Sequence, residues 1–267
     1  MSSLDRFDAV VFDTDGVLTD TAVVHAAAWQ RLFDEFFERW VAADTDGPPQ
    51  APFDPVGEYL ALVDGKPRYD GVRSVLVARG IELPEGDPGD EPGTETVCGL
   101  GNAKDTYFYE RMRADGVRAF ADAVRLLDRL EAAGRRAAAV SASRNAREVL
   151  EVAGVLDRFV VIVDGVESDE LGLAGKPDPA LFLAAADRLD VAPSAVVVVE
   201  DAIAGVQAGR RGGFGLVVGV DRVGQAEHLH AAGAHLVLPD LDHLHVEAEG
   251  PTGEGDPAPG ARPGPGG

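Results

Sequence analysis

Five short apolar runs, rich in valine and each closed by polar residues, constrain the fold more than any other feature of the chain: Ala9–Phe12, Ala137–Val140, Phe159–Val163, Ala195–Val199 and Leu216–Val220. Such unalternating runs read as strands buried on both faces of a parallel sheet, because a strand with one wet face alternates apolar and polar side chains. Between them the apolar spacing becomes that of a helix, as in Phe120, Val124, Leu127 and Leu130, or Leu181, Ala185 and Leu189. Strand alternating with helix predicts a doubly wound α/β fold. Ligands of such folds collect at the carboxyl ends of the strands, so the polar residues that follow each run are the first candidates for chemistry.

The alternation is interrupted between about Thr19 and Gly116. A segment of helical spacing, His25 to Trp40, leads into Pro- and Gly-bearing loops at Gly47–Pro55 and Pro84–Gly93, and another helical stretch spans Lys104 to Arg113. The expected organisation is an α/β core from residues 1–18 and 116–245 with a mostly helical cap inserted at 19–115. The tail at 246–267 is glycine, proline and acid, with too little apolar surface to offset its ordering entropy, and is expected to be disordered. A chain of 267 residues can bury one full core and a smaller subdomain without disulfide or metal staples.

Where the chemistry lies is narrowed by charge. A formal net charge of −22 argues against a nucleic-acid backbone or an anionic membrane surface as partner, since both need a basic face to displace counterions. A small anionic substrate needs only a local group of cations. Of the 24 lysines and arginines only Lys66, Lys104 and Lys176 are lysines, each a compact point charge that a guanidinium fork would not replace; a coding bias toward arginine explains the scarcity equally well. No apolar stretch approaches the roughly 18 residues of a membrane span, and no basic leader precedes the first apolar run. A cytoplasmic protein is expected, monomeric or weakly oligomeric, and the single cysteine, Cys98, agrees with a reducing compartment.

At the end of the first run stands Asp13-Thr14-Asp15-Gly16. Alternate residues of a strand point the same way, so both carboxylates can face one ligand before the glycine turns the chain. An acid-rich turn is the plain alternative. Ser141-Ala142-Ser143-Arg144-Asn145 follows the second run, with a hydroxyl and a helix start suited to phosphoryl oxygens. Lys176 sits among turn residues in Gly175-Lys176-Pro177-Asp178-Pro179, and Glu200-Asp201 follows the fourth run. Each has an ordinary explanation as helix cap, solvated charge or dipole-favouring acid. All four together, in this order on successive strand ends, are hard to ascribe to chance.

These motifs resemble those of the haloacid dehalogenase superfamily of aspartyl phosphotransferases, over all of the chain except the tail. The resemblance implies Asp13 as nucleophile attacking phosphorus, Asp15 as general acid and base, Ser141 as donor to a transferring oxygen, and Lys176 as the cation that offsets charge between nucleophile and phosphoryl group. It also implies Mg2+ held by Asp13, Asp201, the carbonyl of Asp15 and Glu200, hard oxygen ligands of the kind that ion prefers. The closer likeness is to the β-phosphoglucomutase-like family, through Asp13 to Thr21 followed by His25 and Trp29, and through Ser143, Arg144 and Asn145. In the cap, Asp64-Gly65-Lys66-Pro67-Arg68 looks like the loop whose arginine clamps the phosphate that is not transferred, and Gly101-Asn102-Ala103-Lys104 like the cap lysine element. Thr21, His25, Trp29, Arg68, Lys104, Ser143, Arg144 and Asn145 are thus expected at the substrate. Arg144 stands where family members often carry lysine, and Asp105 where asparagine is common.

Three functions remain in competition. One is a mutase that converts β-glucose 1-phosphate to glucose 6-phosphate through a bound bisphosphate; a second is a sugar-phosphate phosphatase using the same core. Arg68 and Lys104 favour the mutase, because a bisphosphate needs a second anion grip. The third, a phospho-acceptor domain without turnover, has no need of a general acid such as Asp15. Gly99-x-Gly101 lacks the third glycine of a dinucleotide fingerprint, and His228, His230, His243 and His245 lack the partner pattern of a metal site. His25 on a helix face fits core packing as well as a site role.

Overall fold

The valine runs do form a central sheet, and in the computed structural model, which describes residues 2–42, 50–63 and 66–247, it lies between helices. In chain order the strands and α-helices are β1 (Ser2–Ser3), β2 (Ala9–Asp13), α1 (Ala22–Ala42), α2 (Arg68–Arg79), α3 (Val97–Asp115), α4 (Ala121–Ala132), β3 (Arg136–Val140), α5 (Ala146–Val152), β4 (Val161–Val163), α6 (Gly165–Leu171), α7 (Ala180–Arg188), β5 (Val196–Glu200), α8 (Ile203–Arg211), β6 (Leu216–Val220), α9 (Ala226–Ala232), β7 (Leu236–Leu238) and β8 (Leu244–His245). Strands β2 to β7 form one parallel sheet in the order β4-β3-β2-β5-β6-β7. The chain winds outward from β2 to β4, returns, and winds outward again from β5 to β7. The reversal lies between β2 and β5, where a doubly wound sheet opens its ligand crevice.

Both faces of the sheet are covered, as the lack of alternation in the runs implies. Val10 and Phe12 of β2 and Val197 and Val199 of β5 pack with Leu126, Leu127 and Leu130 of α4. Their neighbours Ala9, Val11, Val196 and Val198 turn the other way, onto Leu181, Phe182 and Ala185 of α7 and Val206 of α8. β-Branched valine suits a pleated surface packed on both sides, and truncating a core phenylalanine such as Phe12 costs about 3–5 kcal/mol.

Helices α1, α2 and α3 surround a separate apolar cluster that includes Leu32, Phe33, Phe36, Val72, Val75 and Leu100. A smaller group, Val24, Ala28, Phe108 and Met112 with Val149 of α5, joins these helices to the sheet layer. The inserted mostly helical cap is therefore observed between β2 and α4. Helix α3 begins seven residues before Lys104, because Thr96 accepts from Gly99 N at 2.9 Å and starts the turn early. Strand β4 is shorter than the run Phe159–Val163, since Leu156–Arg158 turn as a 3-10 helix and carry the chain in from the side. Residues 248–267, Asp64, Gly65 and the start of the Gly47–Pro55 loop lie outside the described residues. Among the described residues no helix is long and apolar enough to cross a membrane.

Candidate active site

The carboxyl ends of β2, β3 and β5 bring the separate motifs together. Asp13 is the last residue of β2, and the Lys176 ammonium donates to its Oδ1 and, at 2.5 Å, to Glu200 Oε1 at the end of β5. Thr14 turns back into the sheet and donates to Val140 O at 3.0 Å, which ties β2 to β3 and leaves Asp13 and Asp15 on the crevice side. Asp15 then accepts from Thr21 and, at 3.4 Å, from Ser141. Gly16 follows at φ +79°, and a Cβ there would lie 1.9 Å from Asp201 Oδ2, so only glycine lets that carboxylate approach the turn so closely.

Three acids, Asp13, Glu200 and Asp201, thus crowd around one ammonium. Burial pushes Asp13 up to about 8; Lys176 opposes this, while Glu200 and Asp15 add to it. Burial likewise raises Asp201 well above the carboxylate range, reinforced by Glu200 and Asp13. For Lys176 burial works downward, but Asp13 and Glu200 outweigh it and hold the ammonium charged. The cluster has surplus negative charge with hard oxygen donors, which is the environment a divalent cation fits. Among the described residues no three carboxylate, imidazole or thiol side chains form a complete ligand set by themselves. Both Glu200 oxygens are used internally, by Lys176 and by Ala202 N at 2.6 Å, so in this arrangement Glu200 steadies the lysine and the start of α8. Asp13 and Asp201 are the remaining carboxylates at this end of the sheet that could hold a cation, and the family resemblance adds the Asp15 carbonyl.

The cap supplies the opposite charge. Lys104 is 5% exposed and lies 2.9 Å from His25 Nδ1, over the rings of Trp29 and Phe108. Burial lowers it to about 8, against the pull of Asp105 and Asp15. Burial, then Lys104, holds His25 well below its ordinary value, so a neutral imidazole accepts from the lysine. Arg68, at the first turn of α2, pairs with Asp105 and donates to Tyr69 Oη at 2.9 Å. Asp105 is also 3.7 Å from Lys104 and so bridges the two cap cations.

The sheet family of motifs is shared by many enzymes, and kinship decides between them. The family model for haloacid dehalogenase-like hydrolases matches residues 7–213. The chain belongs to that family. It is 47% identical over 244 residues to the β-phosphoglucomutase of Mycobacterium tuberculosis (strain CDC 1551 / Oshkosh), covering 90% of this chain and 92% of that one. It is 30% identical to the β-phosphoglucomutase of Bacillus subtilis (strain 168), again covering 90% and 92%. A crystal structure of β-phosphoglucomutase from Clostridium difficile superposes with a TM-score of 0.66 at 25% identity, over 88% of this chain and 92% of that one. The chain is accordingly an enzyme of the haloacid dehalogenase-like family, of the β-phosphoglucomutase-like kind.

Several of the residues expected at the substrate have partners within the protein. Arg144 pairs with Asp169 of α6 on the surface. Asn145 is engaged by the Tyr109 hydroxyl, and Ser143 accepts from Asn145 N at 3.2 Å, shaping the turn before α5. Trp29 is buried against Phe33 in the cap core, with the Lys104 ammonium over its ring. Lys66 is exposed and bonded to Ser74. Sequence reasoning passed over Tyr69, Tyr109, Asp122 and Arg222. Arg222 carried a readable signal, a lone cation just beyond the run Leu216–Val220.

Proposed function

We propose that this enzyme is a magnesium-dependent β-phosphoglucomutase that works through an aspartyl-phosphate on Asp13. The observation that carries the reading is the pair of oppositely charged ends of one crevice: carboxylates and Lys176 at the sheet, Arg68 and Lys104 in the cap. A sugar bisphosphate has two anions to place, and the relatives named β-phosphoglucomutase make a glucose phosphate the favoured substrate.

Asp13 attacks phosphorus in line, while Lys176 neutralises charge gathered between the carboxylate and the phosphoryl group. Asp15, oriented by Thr21 and Ser141, protonates the departing sugar oxygen and later takes the proton from the attacking hydroxyl. Asp13, Asp201 and the Asp15 carbonyl would hold Mg2+, which supplies charge neutralisation at the phosphoryl oxygens when bound. Arg68 and Lys104 hold the phosphate that stays, and the closed cap excludes water so that a sugar hydroxyl is the acceptor.

One observation favours the phosphatase instead: Asp105 offsets part of the cap charge, weakening a grip on a second phosphate. Phosphorus NMR of β-glucose 1-phosphate with enzyme, magnesium and a trace of bisphosphate separates the two. A growing 6-phosphate signal supports the mutase, and release of inorganic phosphate alone refutes it.

A further inference from the structure

One half-hidden cation takes no part in the chemistry above. Arg222 lies two residues beyond β6, 17% exposed, at the same edge of the sheet as Asp13. Its Nε donates to Gly16 O at 3.2 Å and its Nη2 to Val17 O at 3.3 Å, and its guanidinium lies 3.9 Å from the centre of the Phe120 ring. It also pairs at 3.0 Å with buried Asp122, which accepts from Leu241 N at 2.8 Å and is thereby fixed to the segment after β7.

The contacts fall on the turn that carries Asp15. That turn closes on itself, Leu18 N and Thr19 N donating to Thr14 O and Gly16 N to Thr19 O, and the carbonyls of Gly16 and Val17 go to Arg222. The second chain crossing between sheet and cap runs alongside, with Phe120 N bonded to Leu18 O and Asp20 N to Arg118 O. One guanidinium therefore grips the first crossing by two carbonyls and the second by a ring face, and is itself held by a carboxylate anchored elsewhere. A planar fork that both bonds and stacks suits this role, and an ammonium does not.

We propose that Arg222 is a positioning residue for phosphoryl transfer, fixing the turn Thr14–Thr19 so that the Asp15 carboxylate meets the reacting sugar oxygen. The inference rests on the reading of Asp15 as acid and base. Misplacement of a catalytic group by an ångström costs on the order of a hundredfold in rate, so a loosened turn should be visible in turnover.

The test compares two reactions in wild type, Arg222→Lys and Asp15→Asn. Isomerisation of β-glucose 1-phosphate needs a proton delivered to and taken from a sugar oxygen, whereas acetyl phosphate phosphorylates Asp13 with a leaving group that departs without one. Arg222→Lys keeps a positive charge beside Asp122 and loses the fork and the stack. The expected result is a fall in isomerisation kcat of roughly tenfold to a hundredfold with KM little altered, and a fall in the single-turnover rate at which acetyl phosphate phosphorylates Asp13, releasing acetate, that is at least about tenfold smaller. Asp15→Asn should show the same split. Should Arg222→Lys fail to fold by thermal melting, Phe120→Leu, which removes the platform and keeps the charge, carries the same comparison. A split in Asp15→Asn with both reactions falling together, or neither falling, in the Arg222 variant overturns the positioning role. No split in Asp15→Asn overturns the acid-base reading and the inference with it.

Discussion

Removing Arg68 while counting the charges left behind tests the distal grip most sharply. The cap end holds two cations, Arg68 and Lys104, and one acid, Asp105, which contacts both. Arg68→Ala leaves Lys104 facing Asp105, so the site loses its net positive charge as well as a fork able to hold two phosphate oxygens. A hydrogen bond to a charged group contributes about 1.5–3 kcal/mol, and about 1.4 kcal/mol corresponds to tenfold, so isomerisation of β-glucose 1-phosphate should fall roughly 10- to 150-fold in kcat/KM. The Arg68 side chain is about one-third exposed, and a pair of that exposure contributes at most about 1 kcal/mol to folding, so the variant should stay folded. Turnover of acetyl phosphate, which has no distal phosphate, serves as the internal control and should change little. The acid supplies the second half of the cycle. Asp105→Asn restores a full cationic grip and should tighten bisphosphate binding above wild type, while Arg68→Ala with Asp105→Asn keeps one unopposed cation and should recover part of the loss. Bisphosphate affinity should thus rank Asp105→Asn first, then wild type, the double variant and Arg68→Ala. Equal losses in both reactions, or a double variant no better than Arg68→Ala, refutes the charge argument and leaves Arg68 as a structural residue of the cap.

Asp13→Asn keeps nearly the same shape but removes the nucleophile, so mass spectrometry should find no phosphoenzyme while the melting temperature stays close to wild type; turnover within tenfold of the parent would falsify its role. Asp15→Ala should lower isomerisation kcat on the order of a hundredfold or more, within the usual range for a general acid and base, with a smaller change in KM. Burial places Lys104 at about 8, below its ordinary 10.5, so its charge is present below pH about 8 and lost above it. Bisphosphate KM should therefore be flat on the acid side of pH 8 and rise toward tenfold per unit on the alkaline side, the shape expected when one protonated group is required. A KM that is flat through pH 9 speaks against the Lys104 contact. The stability effect has the opposite sign, because an unfolded lysine keeps its proton to higher pH, and the fold gains from this group between about pH 8 and 10.5.

How legible each element was depended on whether its signal was local. The valine runs marked β2, β3, β5 and β6 because both faces of those strands are covered, and their ends pointed to Asp13, Ser141 and Glu200 for the same reason. Leu236–Leu238 was missed: three half-buried residues at the sheet edge form too short a run to stand out from a loop. Helix α2 escaped notice although Val72, Val75 and Leu76 have helical spacing, because arginines and Gly71 interrupt the pattern. The pairing of Asp105 with Arg68, 37 residues away, leaves no local trace at all. The same holds for the Tyr109–Asn145 contact and for the turn of Arg144 toward Asp169.

The distribution of charge within the crevice bears on the order in which its ligands bind. At the sheet, the Lys176 ammonium is already shared between Asp13 and Glu200, so a phosphate dianion entering there without a divalent cation gains little attraction. Near the cap, Lys104 and Arg68 exceed Asp105, so the same dianion is attracted. A sugar monophosphate arriving before a divalent cation should therefore sit the wrong way round for reaction, with its phosphate at Arg68 and its hydroxyls toward Asp13 and Asp15. That orientation is unproductive for an unphosphorylated enzyme but is the one a phosphorylated Asp13 requires, since a hydroxyl then faces the phosphoryl group. On the proposed reading, an Asp13 that carries phosphate takes up monophosphates in this same orientation, by their distal end, whereas a phosphatase must admit phosphate to the sheet end at every turnover.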